Sequence, residues 1–307
     1  MKIAAAHSAD PDTDQALMDL VAQGRDAFGG EAPSAALVFA CYECDHGAIG
    51  PALRREWPSI DVVGCTTDGE LSSRLGFQED SITCLFFGGE GVQVRAGVGH
   101  SASKDLAAAA REAVSAATRP GDGPVKLCVL VPESLTISGA AAVDEIAALL
   151  PAETPLVGGT AADQWAFEQT RQLYGTDVLQ DSVPVLLFRG DVKVAVGVAS
   201  GWTPLGRKAV VTRVDGNRVH EIDGQAALGF FRGVLGHAFH PDPEHPVAVL
   251  GDDGFYLRAP LAVEPDTGTI VFAGDIPQGA VIQISEVARD EMLDACQASI
   301  RSAAERW

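Results

Sequence analysis

Asp80-Ser-Ile-Thr-Cys-Leu-Phe-Phe-Gly-Gly89 returns later in the chain as Asp181-Ser-Val-Pro-Val-Leu-Leu-Phe-Arg-Gly190, with Asp, Ser, Leu, Phe and Gly in the same places. Each copy runs on into a second apolar stretch, Val92 to His100 and Val192 to Ser200. Upstream lie two further matched pairs in the same order: Val63-Gly-Cys-Thr66 with Val157-Gly-Gly-Thr160, and the apolar runs Ala36 to Ala40 and Leu127 to Val131. Three matches in one order mean a duplicated unit. Its period exceeds the roughly 20 to 50 residues of solenoid repeats, so it is a duplicated half-domain. Such a body is pseudo-symmetric, and the cleft between its halves is a natural place for a ligand.

Around these anchors the pattern alternates short apolar runs with helical spacing. Leu17, Leu20, Val21 and Phe28 share one helical face after Asp12, Gly29-Gly30 ends that helix, and a second helix runs from Gly47 to Trp57 before Pro58. Ala36 to Ala40 and Ile60 to Val63 read as strands, and Asp80 to Phe87 with Val92 to Val98 as a β-hairpin about Gly88-Gly-Glu-Gly91. The second copy repeats the plan, with helices over Leu106 to Ala117 and Ser138 to Leu150, and a hairpin over Asp181 to Ala199. After Gly201 the pattern changes: Asp215-Gly-Asn217 joins two strands, Gly224 to Leu235 is helical, and a last helix carries Met292, Leu293, Cys296 and Ile300 on one face. The fold class expected is α/β, built of mixed α+β layered sheets. Two pseudo-repeated α/β units (residues 1–100 and 101–202) precede a C-terminal α+β domain (203–307).

The 307 residues are 47% hydrophobic and carry a formal charge of −20 with pI near 4.6, which argues against nucleic acid and anionic membrane surfaces as partners. No apolar run approaches the roughly 20 residues that span a bilayer, so no membrane insertion is expected and the cytoplasm is the expected location. The six cysteines are dispersed and read as reduced thiols.

Val63-Gly-Cys-Thr-Thr-Asp-Gly-Glu-Leu-Ser72, Asp80-Ser81 before an apolar run, Leu156-Val-Gly-Gly-Thr-Ala161, Gly201-Trp-Thr-Pro-Leu-Gly206 and Val271-Phe-Ala-Gly-Asp-Ile-Pro277 together resemble FIST-domain proteins, FIST N followed by FIST C. The resemblance implies a sensory module without enzyme activity, a receptor for a small molecule that signals to a partner such as a histidine kinase, a cyclic-di-GMP enzyme or a chemoreceptor. It also extends to haem members of the family that sense nitric oxide. Family members continue beyond the point reached at Trp307, so the usual C-terminal end is expected to be lacking.

Two Gly-rich turns are the expected ligand site. Cys65, Thr66, Thr67, Asp68 and Glu70 surround the first, and Gly158, Gly159, Thr160 and Asp163, with Trp165 as a wall, the second. Hydroxyls, carboxylates and backbone N–H groups around a turn suit a polar ligand, although such residues also satisfy tight turns on their own. Cys65 is alternatively the nucleophile of a thiol-dependent enzyme. Cys41-Tyr-Glu-Cys44-Asp-His46 has the spacing of a redox pair or half a zinc site, and adjoining strands would bring Cys65 near it. His237 and His240, beside Phe230, Phe231, Leu235 and Phe239, are the candidate axial ligands were haem the cofactor.

Overall fold

The computed structural model describes residues 1–307 apart from 237, 239–241 and 253. It divides into two compact units, Met1–Val194 and Ala195–Trp307.

The first unit runs β1 (Lys2–Ser8), α1 (Thr13–Phe28), β2 (Ala35–Ala40), α2 (His46–Glu56), β3 (Asp61–Thr66), β4 (Glu70–Ser72), β5 (Gly76–Gln78), β6 (Ile82–Gly88) and then β7 (Val92–His100), α3 (Leu106–Ala116), β8 (Leu127–Leu130), α4 (Gly139–Ala147), β9 (Leu156–Gly158), β10 (Gln172–Tyr174), β11 (Asp177–Leu179), β12 (Ser182–Gly190). The second half of this series repeats the first element for element. One sheet has the order β1-β6-β2-β3-β10-β11, the other β7-β12-β8-β9. In each, the first strand of the copy pairs antiparallel with the last, and the two middle strands lie parallel.

Helix starts follow the local chemistry. Asp12, Asp105 and Ser138 cap α1, α3 and α4 by accepting backbone N–H groups two or three residues into the helix, and Gly29 in the left-handed region (φ 63°) closes α1. Burial then sets the layers. Leu17, Leu20 and Phe28 of α1 and Ile49 and Leu53 of α2 pack on Val38, Val62 and Phe86 of the larger sheet. Leu37, Val63 and Cys65 on its other face meet Val129, Leu186 and Phe188 of the smaller sheet, whose far side carries α3 and α4 through Ala109, Ala113 and Ile146. The unit is thus a helix–sheet–sheet–helix stack of the mixed α/β class.

The two hairpins expected from the sequence do not form. β6 leaves its sequence neighbour and inserts between β1 and β2, while β7 pairs with β12 in the other sheet. β6 is a buried apolar run that gains more from a central place with two partners than from a hairpin with one, β7 takes the edge of the other sheet against β12 and beneath α3, and the Gly88-Gly-Glu-Gly91 segment lets the chain cross between sheets. Val92–His100 therefore opens the second copy and carries α3 as β1 carries α1. Gly97 and Gly99 make this possible, because a Cβ at either would overlap the carbonyl oxygen of Ala113 or Ala109. Residues 192–200 pair with no strand, although Val192 packs in the core between the sheets.

The second unit comprises β13 (Thr203–Asp215), β14 (Arg218–Ile222), β15 (Gln225–Ala226), α5 (Ala227–Leu235), β16 (Val247–Gly251), β17 (Gly254–Arg258), β18 (Pro260–Glu264), β19 (Thr269–Phe272), β20 (Val281–Glu286) and α6 (Arg289–Glu305). Its main sheet path is β17-β16-β20-β13-β14-β19-β18. The expected Asp215–Arg218 hairpin is present, closed by Gly216-Asn217. Phe230 and Phe231 of α5 fill the core with Phe272, Ile282 and Ile284. Among the described residues no helix is long and apolar enough to cross a membrane.

Candidate functional site

The carboxyl ends of the parallel pair β2/β3 are where α/β architectures commonly hold ligands. Here the Cys41–Asp45 turn follows β2 and the Thr66–Glu70 turn follows β3, joined by a bond from Thr67 N–H to the Ala40 carbonyl at 3.1 Å. The second copy's loop comes to meet them. Ala162 N–H donates to the Thr66 carbonyl at 2.8 Å, and Gln164 N–H to Asp68 Oδ1 at 2.7 Å. The two Gly-rich turns therefore do lie together.

Several of the residues expected to face a ligand are turned inward. Glu70 is 2% exposed, and its carboxylate accepts from Ser81 Oγ at 2.5 Å and from Thr67 Oγ1. Burial pushes the Glu70 carboxyl upward from its ordinary value, against the pull of these two hydroxyls. Because Ser81 spends its proton on Glu70, it accepts from His7 Nε2–H at 2.8 Å, and His7 Nδ1 then accepts from Ser72 Oγ at 2.7 Å. Burial lowers the His7 pKa, favouring the neutral ring that this chain of bonds requires.

Cys65 is buried on β3, and burial with the nearby Glu70 pushes its thiol up to about 12, so it is held protonated and out of reach as a nucleophile. The Thr66 hydroxyl accepts from Arg171 N–H at 3.1 Å. Asp163 accepts from the backbone N–H groups of Phe167, Glu168 and Gln169 at 2.8 to 3.0 Å. That clamp holds Gln164, Trp165 and Phe167 at positive φ (55°, 66° and 54°), a conformation costly for non-glycine residues. The strained loop presents the Trp165 and Phe167 rings largely to solvent, edge to face with centroids 6.0 Å apart.

Gly158, Gly159 and Thr160 are exposed. β9 ends its sheet, since β10 and β11 extend the other sheet beyond β3 and the hairpin of β4 and β5 forms a separate two-stranded sheet. The pseudo-symmetry is broken here, leaving the second Gly turn open where the first is covered.

Arg171 was not legible as a site residue. It sits one position before β10, its guanidinium carbon is 5.8 Å from the centroid of the Tyr42 ring, and its Nε is buried with no hydrogen-bond partner. Among the described residues it makes no ion pair, and its charge helps to hold buried His46 below its ordinary pKa, after burial itself. No group of three or more His, Cys, Asp or Glu placed to hold a metal occurs among the described residues. His237 and His240 lie outside the described residues. Phe230 and Phe231, expected beside them, are core residues of the second unit. Two hollows of about 430 and 340 Å³ lie away from these turns, one between α1 and α2 and one between residues 199–203 and α6.

The family model of the FIST N domain matches residues 34–225, and that of the FIST C domain matches residues 227–306. The chain belongs to the FIST family. FIST domains are small-ligand sensory domains of signalling proteins rather than catalytic ones. Among similar proteins, the uncharacterized protein Mb0898c of Mycobacterium bovis and MT0897 of Mycobacterium tuberculosis are each 25% identical over 301 residues, covering 92% of this FIST chain and 75% of theirs. The uncharacterized protein MJ1623 of Methanocaldococcus jannaschii is 27% identical over 146 residues, covering 42% of this chain and 28% of that protein. This FIST chain thus spans less than a third of the archaeal relative's length.

Proposed function

We propose that this chain is a sensor for a small organic anion, held where the two Gly-rich turns meet, and that occupancy alters its contacts with an output partner such as a histidine kinase, a cyclic-di-GMP enzyme or a chemoreceptor. Arg171 carries this reading. In a chain with 42 acidic and 22 basic residues, Arg171 is a partly buried guanidinium resting on the Tyr42 ring, bonded through its backbone to Thr66 of the first turn, with a buried Nε that has no hydrogen-bond partner and no carboxylate partner among the described residues. A ligand carboxylate supplies the missing partner, and a planar guanidinium suits that group through paired N–H donors. Thr67, Asp68, the exposed Gly158-Gly-Thr160 turn and the Trp165 ring form the surroundings, while Cys65, Thr66, Glu70 and Asp163 hold the loops in shape. The anion binds tightly only in one arrangement of the strained 163–168 loop, so binding shifts the population of that loop.

The test is calorimetric titration of the full chain at low ionic strength with amino acids, dicarboxylates and short-chain carboxylates, repeated on Arg171→Gln. The expected result is saturable binding of a carboxylate, weakened about tenfold or more in the variant, as loss of a charge-assisted pair implies. Equal affinity in Arg171→Gln, or no carboxylate bound by the unaltered chain, would overturn the assignment.

A further inference from the structure

The Cys41–Cys44 turn has chemistry that ligand binding does not use. The other cysteines are unlike it. Cys65, Cys84 and Cys128 are each buried within a strand, where burial pushes the thiols up, and Cys296 stands exposed on α6. Cys41, which is also buried, and half-buried Cys44 instead occupy the turn between the carboxyl end of β2 and the first residue of α2, His46. The Cys44 thiol donates to the Cys41 carbonyl at 3.3 Å. His46 Nε2 reaches the same carbonyl at 2.9 Å, which fixes the turn that carries both thiols. Two residues between cysteines ahead of a helix N-terminus is the arrangement in which one thiolate is favoured by its neighbour's S–H and by the helix dipole.

The neighbouring Cys44 thiol lowers the Cys41 thiol to about 7, while burial and, to a lesser degree, Glu70 and Asp80 act in the opposite sense. With one thiolate formed, the second proton is held more firmly on Cys44.

We propose that Cys41 and Cys44 are a reversible dithiol–disulfide pair, oxidised by small organic disulfides. The Cys41 thiolate attacks one sulfur of the reagent and expels the first thiolate, which takes up a proton from solvent. The resulting mixed disulfide is resolved by Cys44, which loses its proton, bonds to the Cys41 sulfur and releases the second thiol. Two electrons pass from the protein pair to the reagent, one disulfide is exchanged for another, and two thiols leave. Tyr42, on which Arg171 rests, lies inside the ring so closed.

The experiment equilibrates the full chain in glutathione buffers of increasing oxidised fraction, quenches in acid, denatures, alkylates with iodoacetamide and counts labels by mass. The reduced chain takes up a label at each of its six cysteines. Oxidation should remove two labels in a single step, and the tryptic peptide spanning residues 26–54 should be lighter by two hydrogens, with Cys41 linked to Cys44. Cys65→Ser should retain this linkage, and Cys44→Ser should stop at a glutathione adduct on Cys41. Six labels at every buffer ratio, an internal bond made by Cys65, or an adduct on Cys41 that Cys44 never resolves in the unaltered chain would each overturn the proposal. The decisive measurements use the unaltered protein, so a variant that fails to fold leaves the test intact.

Discussion

Ser81→Ala measures how far the buried chain Ser72–His7–Ser81–Glu70–Thr67 organises the first unit. The hydroxyl lost is the donor to Glu70 Oε2 at 2.5 Å and the acceptor for His7 Nε2 at 2.8 Å. All three residues are 2% exposed, so water cannot replace it without opening the turn. Loss of a bond to a buried carboxylate costs about 1.5 to 3 kcal/mol, and stranding an imidazole N–H adds about 1 more, for roughly 2.5 to 4 kcal/mol in all. In a unit of this size each kcal/mol moves the midpoint by about 2 to 4 °C. Thr83→Val, two residues along, is the internal control: the Thr83 hydroxyl is buried with no partner, so an apolar group of the same shape should be neutral or stabilising by up to about 1 kcal/mol. Scanning calorimetry, with the transitions of the two units analysed separately, gives both values. A cost for Ser81→Ala below about 0.5 kcal/mol, or one equal to that of Thr83→Val, would refute the view that these bonds hold the turn.

Gly99→Ala should destabilise the first unit by about 3 kcal/mol or more, since the new Cβ overlaps the backbone oxygen of Ala109 and forces α3 off β7; Gly123→Ala, in open space, should change it little in the same urea titration. Acidification should weaken the first unit through His7 and His46. Burial lowers both pKa values, so their contribution is present above the ordinary imidazole value of about 6.5 and is lost as pH falls through the folded values; His7→Gln should flatten part of that slope in pH-dependent denaturation. Glu70→Gln should alter stability near neutral pH by less than about 1 kcal/mol. It should also remove a fall in stability that the raised Glu70 pKa produces as pH rises from the ordinary carboxylate range through the folded value, which paired pH titrations of the two proteins will show.

The duplication was legible because its matched segments are the buried strands: Ala36–Ala40, Val63–Thr66 and Asp80–Gly89 return as the strands and turn entries of the second copy. Turn chemistry placed the Asp215–Arg218 hairpin. What sequence could not supply was the partner of each strand. An apolar run such as Ile82–Gly88 looks the same beside Val92–His100 as it does between β1 and β2, and the choice is made by long-range burial. The segment Val192–Ser200 has the composition of its counterpart Val92–His100 yet pairs with no strand among the described residues, so composition alone did not make a strand. At the site, the turns were visible as Gly, Thr, Asp and Glu around strand ends, but the direction each side chain faces depends on partners far along the chain. His7 lies 74 residues from Ser81, and Thr66 lies 105 from Arg171. Arg171 itself is a lone base beside a three-residue strand, and nothing in the local sequence sets it apart from the other arginines; its place against Tyr42 and Thr66 appears only in the fold.

The second copy explains why Glu70 behaves as scaffold. Gln172, the first residue of β10, holds the place that Glu70 holds at the start of β4, and it too is fully buried. Ser182, the counterpart of Ser81, donates to Gln172 Oε1 at 3.1 Å, and Gln172 Nε2 donates to Thr170 Oγ1 at 3.0 Å. The same serine–carboxamide–threonine lattice thus closes the same turn without a charge. A feature built in both copies, once with an acid and once with its neutral isostere, answers to the fold they share. The copies differ instead in the second Gly turn, which is open, in the strained loop that bears Trp165, and in Arg171, which makes no ion pair among the described residues.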